Sequence, residues 1–260
     1  MSTVTSRIKQ ITQPSGGYLP PAQFNMIQIQ DGIVLNDSEN VHPSVVGMVV
    51  DYMSRFLHSR CSAKEAFAIS LAGAKVAEKI GVSDARADAF VLLKHIKGLD
   101  DESIKCACEL VRYDAWFRNP KEAIKSLEND FEAPDGVSIQ NIKTMIIRSL
   151  HFFDDYGPVV ESGFTFEADG YTKVVDSGDG DFLTRDTLWD FKVSKNPLTS
   201  KHTLQILMYW IMGQHSKKPV FKGITKIGVF NPRLNVVYLL DINEVSSEVI
   251  SLIEKEVICY

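Results

Sequence analysis

Cysteine, long apolar runs and positive charge are all scarce in this chain, and each scarcity removes a class of function. Its four cysteines are Cys61, Cys106, Cys108 and Cys259. None stands in a C-x-x-C spacing, so they read as free thiols of a reducing compartment, not as a disulfide framework or thiolate metal site. No apolar stretch approaches the ~20 uncharged residues that cross a bilayer. The opening MSTVTSRIKQITQPSGGYLPP lacks the apolar core of a secretion signal, so the expected address is cytoplasmic, with no membrane partner. His202 and His215 lack a spaced partner set for zinc and read as surface histidines. No fixed-period repeat appears, which argues against a solenoid. Nothing in the pattern calls for haem or a nucleotide cofactor. A formal net charge of -5 excludes a generally basic nucleic-acid coat.

What is present suffices for a globule: 260 residues, 45% of them hydrophobic, can bury a sizeable core. Residues 1–42 read as an N-terminal arm, rich in Ser, Thr, Gly and Pro up to residue 22. A small hairpin over Phe24 to Leu35 is expected to turn at Asp31-Gly32. Residues 43–157 read as a mostly helical region packed on the core. Its expected helices are SVVGMVVDYMSRFLHS after Pro43, SAKEAFAISLAGAKVAEKI closed by Gly81, SDARADAFVLLKHIK capped by Ser83 and closed by Gly98, DDESIKCACELVRYDAWF, and VSIQNIKTMIIRSLHFFDDY closed by Gly157. Tyr113, Trp116 and Phe117 offer stacking surfaces, although aromatics on such helices usually belong to the core. Residues 158–260 change period. Strands are expected at Phe164 to Glu167, Thr172 to Val175, Phe182 to Thr184 and Leu188 to Val193, with the SGDG segment as a turn. A helix from Thr199 to Met212 ended by Gly213, strands Ile227 to Phe230 and Val236 to Leu240, and a helix from Val245 to Ile258 follow. Strands meeting a crossover helix make an α/β core.

An ordered series of polar residues lies in that core: Asp181, then Asp190-Phe191-Lys192, then Gln205 and Tyr209 four apart. In a strand, Asp190 and Lys192 share one face while Trp189, Phe191 and Val193 share the other. Gln205 and Tyr209 share a helix face with Lys201 one turn earlier. Two carboxylates and an amine at one sheet edge are suited to holding a divalent cation, orienting a water and facing a phosphate. From Phe191 to Arg233 there is no Asp or Glu, while Lys192, Lys195, Lys201, Lys217, Lys218, Lys222, Lys226 and Arg233 all occur. Such a patch could follow a phosphate backbone, and it reads equally as a solvated lysine-rich surface. The acidic DSGDGD segment does not make an EF-hand, because a loop starting at Asp179 would set Leu183 at a ligand position.

The series resembles the PD-(D/E)XK nucleases, specifically the branch of RecB nuclease domains and lambda exonuclease with its Gln-x-x-x-Tyr motif. The resemblance covers about residues 160 to 245, with Gly180 where the family name has Pro. It implies a restriction-endonuclease-like mixed sheet flanked by helices, and a Mg2+- or Mn2+-dependent deoxyribonuclease, an exonuclease, with DNA as partner. The implied metal ligands are Asp181, Asp190 and the Phe191 backbone carbonyl. Glu161 is the favoured first acid ahead of Glu167, Asp154 and Asp155. Lys192 would position the attacking water, with Gln205 and Tyr209 completing the catalytic set, and Lys195, Lys201, Gln205 and Tyr209 would touch nucleic acid. Some members carry an iron-sulfur cluster with three cysteines after the core; only Cys259 follows it here, so none is expected. The alternatives are a catalytically silent module that binds nucleic acid or a protein, an RNA or nucleotide substrate, and a homo-oligomeric or protein contact through the helical region.

Overall fold

The computed structural model describes residues 2–58, 61–125 and 131–260. In chain order the elements are α1 (Val4–Gln10), β1 (Asn25–Gln28), α2 (Pro43–His58), α3 (Ala63–Ala66), α4 (Ala68–Ile80), α5 (Ala85–His95), α6 (Asp101–Leu110), α7 (Asp114–Arg118), α8 (Pro120–Lys125), α9 (Gly136–Tyr156), β2 (Glu161–Thr165), β3 (Asp179–Leu183), β4 (Thr187–Phe191), α10 (Ser200–His215), β5 (Lys226–Asn231), β6 (Val236–Asp241) and α11 (Ser247–Leu252). A π-helical turn, Ile253–Ile258, continues α11. The chain divides into two compact units, residues 1–31 with 153–260 and residues 32–152.

The first unit is α/β. Its six-stranded mixed sheet runs in the order β1-β6-β5-β4-β3-β2. β4 and β5 pair in parallel, as a strand-helix-strand crossover through α10 requires, and the other neighbours are antiparallel. Alternation divides β4 between two faces. Leu188 joins Leu183, Leu204, Leu207 and Ile227 in the buried core on the α10 side. Trp189 and Phe191 face the other way, where Phe153, Phe182 and Phe230 form an aromatic layer.

Several expectations for this unit are corrected. Residues 1–22 are not a loose arm: Val4, Ile8 and Leu19 are core residues, and Arg7 donates from Nε to the Val257 carbonyl at 2.9 Å. There is no hairpin over Phe24 to Leu35. β1 pairs antiparallel with β6 instead, and Gln28 Nε2 fixes it by donating to the Leu234 carbonyl at 2.8 Å. The expected strand at Thr172 to Val175 is a turn, because Thr172 Oγ1 accepts the Val174 and Val175 amides at 3.2 and 3.0 Å and so competes with a ladder.

The Gly180 segment was read as a turn for its glycines, yet Asp179–Leu183 is β3. Gly180 is required by close approach, since a Cβ there would lie 2.1 Å from the Phe164 ring. The hairpin turns at 184–186, where Thr184 N–H donates to the Thr187 carbonyl at 3.0 Å. β2 begins at Glu161, earlier than expected, and α10 continues past Gly213 to His215.

The helical unit, 32–152, is also cut differently. Phe67, with φ -98 and ψ 23, breaks the alanine-rich helix into α3 and α4, and a Ser62–Glu65 capping box starts the short first piece. Asp84, at φ 59, starts α5 where Ser83 was expected. α5 stops before Gly98, because Ser103 Oγ accepts the Lys97 and Gly98 amides at 3.0 and 3.3 Å. Of the three aromatics, Trp116 is buried and Phe117 is 51% exposed. Asp114 is 1% exposed and accepts 2.5 Å hydrogen bonds from the Tyr52 and Ser70 hydroxyls. Burial pushes the thiols of Cys106 and Cys108 up to about 11 and about 12.

In α4, a Cβ at Gly73 would lie 1.8 Å from the Tyr113 carbonyl oxygen, a backbone atom that cannot swing aside. The substitution Gly73→Ala should therefore destabilise the chain by about 1–3 kcal/mol, read as a lower urea midpoint. An unchanged midpoint would contradict this packing.

Candidate functional site

The β3–β4 hairpin sets Phe182 opposite Trp189 and Leu183 opposite Leu188. Carried one step toward the open end, this register places Asp181 opposite Asp190. The strands part there, and the Asp181 side chain supplies what the ladder no longer does: its Oδ2 accepts the Phe191 amide at 2.6 Å. Asp190 lies one residue before the end of β4 and is 2% exposed. Lys192, just past the strand, turns back to it with Nζ 3.0 Å from Oδ1 and 2.7 Å from Oδ2. The shorter contact is an ion pair without hydrogen-bond geometry, so Oδ2 remains a buried oxygen that accepts no hydrogen bond.

Burial drives the Lys192 ammonium toward deprotonation, but the charges of Asp190 and Asp181 outweigh it and hold its pKa above the usual lysine value. The lysine therefore stays charged throughout the neutral range. Because its folded pKa is the raised one, its stabilisation is complete below the ordinary lysine value and is lost as pH climbs through the raised one.

α10 crosses this hairpin with Tyr209 buried and Gln205 Nε2 donating to the Tyr209 hydroxyl at 2.9 Å. Burial first, and then the charge of Asp190, raises the Tyr209 phenol far above its ordinary value; Asp181 and Asp179 add to the shift. One electrostatic neighbourhood thus contains Asp181, Asp190, Lys192, Gln205 and Tyr209, drawn from two strands and a helix. The Phe191 carbonyl lies between the Asp190 and Lys192 side chains along the chain.

Other candidates are placed elsewhere. Glu161 opens β2 opposite Leu183 and faces Lys218 at 3.6 Å, while Lys218 Nζ also donates to the Thr165 carbonyl at 2.9 Å. Asp154, Asp155 and Glu167 are exposed. Among the described residues, no three His, Cys, Asp or Glu side chains converge as a metal-binding group. The eight-cation stretch is not a continuous open patch. Lys217 pairs with Asp169 at 2.5 Å and Lys226 with Asp186 at 2.8 Å, and Lys222 donates to the Gln214 carbonyl at 2.6 Å. Lys195 and Lys201 are exposed beside the start of α10.

Two residues near the site were missed. Asp179 was treated as turn chemistry. His202 was read as a surface residue but is half-buried. Burial lowers its pKa, with Lys192 lowering it further and Asp190 opposing. The available signal was its spacing of i, i+3 and i+7 to Gln205 and Tyr209. His215 instead pairs with Glu254 at 2.5 Å and stacks on Tyr260 at 3.6 Å.

Two features suit this donor set to a hard cation: the buried Asp190 oxygen that accepts no hydrogen bond, and the hard oxygen chemistry of an opposed aspartate pair. Magnesium keeps several waters and needs only one or two carboxylates plus a substrate phosphate, so Asp181 and Asp190 fit it; they do not make a zinc site.

Replacing Asp190 by Asn leaves burial opposed only by Asp181. The Lys192 pKa should then fall, because the larger of the two charges that outweigh burial is gone. Titration of the Lys192 Nζ resonance by NMR checks this, and an unmoved value would mean that Asp190 does not hold the charge. No protein-family model, curated protein or solved structure matches this chain.

Proposed function

We propose that this chain is a divalent-metal-dependent nuclease that hydrolyses the phosphodiester bonds of DNA, as an exonuclease, on a restriction-endonuclease-like core. One observation carries the reading: two aspartates opposed on adjacent strands, with a charged lysine against the buried one and a Gln–Tyr helix stripe laid over them. The connectivity is compatible with it, since an antiparallel hairpin, a crossover helix and a parallel strand put the acids at the open end of β3 and β4.

Each residue has a task that follows from its surroundings. Asp181 and Asp190, with the Phe191 carbonyl, are the groups that would hold Mg2+ or Mn2+. The ion, when bound, supplies Lewis acidity and an acidified water. Lys192 keeps its proton, so it acts as a fixed cation that orients the attacking water and stabilises charge developing on the phosphate. The Tyr209 hydroxyl accepts from Gln205 and keeps its own proton to donate. Neither residue ionises near neutral pH, so both hold phosphate oxygens in place.

Asp190→Asn and Lys192→Ala are each expected to reduce cleavage of labelled DNA in Mg2+ or Mn2+ by roughly a hundredfold or more while the folded far-UV signal persists. Cleavage at the wild-type rate by either variant would remove the mechanism. Labelled RNA and mononucleotides run beside DNA assign the substrate. A second reading, a silent nuclease-fold module that binds nucleic acid or a protein, is favoured by Glu161, which faces Lys218 at 3.6 Å. Calorimetry separates the two: the enzyme binds Mn2+ and Asp190→Asn loses that heat, whereas a silent module gives none in either form.

A further inference from the structure

We propose that His202 is a further substrate-contact residue whose Nε2–H donates to a phosphate oxygen of nucleic acid bound at the aspartate pair. The inference rests on the nucleic-acid reading of the site and adds a recognition group to it. Its first support is placement. His202, Gln205 and Tyr209 fall on one stripe of α10, and that stripe lies over Asp181, Asp190 and Lys192. α10 runs antiparallel to β4, so its first turn lies beside the strand exit that carries Lys192. The ring is half-buried, and Lys192 and Asp190 are the two charged groups whose fields reach it.

The second support is the ring's own hydrogen bond. Thr199 N–H donates to His202 Nδ1 at 3.3 Å. A neutral imidazole with Nδ1 accepting carries its proton on Nε2. The backbone at the start of α10 therefore selects the tautomer and leaves one donor on the ring's far side. Lys192 favours the neutral ring, so that donor persists without a second cation being forced beside the lysine.

The third support is the local field. α10 has 16 residues and no acid in its first turn, so its N-terminal end favours an anion. Lys201, adjacent in the chain, is exposed. The buried Asp190 oxygen that accepts no hydrogen bond lies on the sheet side. A phosphate between strand exit and helix start would meet Lys192 from the sheet and His202 from the helix, two donors of different reach and geometry.

A purely structural role, as a helix-capping side chain, makes a different prediction, and two substitutions separate them. Glu and Gln both occupy this helix position in natural capping boxes and accept the same backbone amide, so His202→Glu and His202→Gln should fold alike. Glu, however, presents an anion to the phosphate, and Gln an amide donor. Binding of a fluorescein-labelled oligodeoxynucleotide to the full chain is measured by anisotropy in Ca2+ buffer. His202→Glu is expected to weaken binding roughly tenfold to a hundredfold with an unchanged thermal midpoint, and His202→Gln to stay near wild type. In parallel, the wild-type imidazole Nε2 resonance should move on addition of the oligonucleotide.

Wild-type affinity in the Glu variant, an unmoved Nε2 resonance at saturation, or no binding by the wild type each overturns the proposal. Cleavage of DNA by wild type at a rate unchanged in His202→Glu overturns it and leaves the nuclease reading standing. His202-dependent binding with no cleavage in Mg2+ or Mn2+ supports the contact and overturns the nuclease reading alone.

Discussion

The buried ion pair between Asp190 and Lys192 is the constraint around which the site is organised. Taking a carboxylate out of water costs several kcal/mol unless partners replace the lost hydration, and Asp190 is 2% exposed. Lys192 provides that replacement in part, at 2.7 and 3.0 Å from the two oxygens. The pair forms only if both residues point the same way from one strand, which fixes the strand register through Phe191. Asp181 secures that register by taking the Phe191 amide, so the acid opposite Asp190 also holds the backbone between Asp190 and Lys192 in place.

The alternation of β4 separates packing from chemistry. On one side Trp189 and Phe191 lie in an aromatic layer with Phe153, Phe182 and Phe230. On the other, Leu188 anchors the hairpin in the core beneath α10, and the next residue on that face is Asp190. Moving one step along a single face therefore passes from fully apolar to ionic. α10 makes the transition around its circumference, from Leu204, Leu207 and Ile211 in the core to a stripe of His202, Gln205 and the buried Tyr209. The polar ends of strand and helix coincide because a parallel crossover brings the start of the helix back to the end of the strand.

Much of this was legible in the sequence because it rests on period and spacing. Asp190-x-Lys192 in an alternating apolar run specifies one shared face, and Gln205 with Tyr209 specifies one helix stripe, whatever the rest of the chain does. The β4–α10–β5 crossover followed from the same change of period. What failed was where tertiary contact overrides local chemistry. Gly180 was read as a turn former but is small because Phe164 packs over it. Phe24 to Leu35 suggested a local hairpin, whereas β1 finds its partner in β6, a distant segment that no local pattern reveals. His202 lacks metal-ligand spacing, and its place on the Gln205–Tyr209 stripe gains meaning only when the fold shows which charges surround it.

The central claim is that Asp181 and Asp190 share one cation. A crystal of the full chain soaked in Mn2+, with data collected at the manganese absorption edge, measures this directly. A single anomalous peak is expected in contact with oxygens of both Asp181 and Asp190, at the end of the sheet beside Lys192. Anomalous density elsewhere on the protein, with the two carboxylates bare and Lys192 still closed on Asp190, would contradict it.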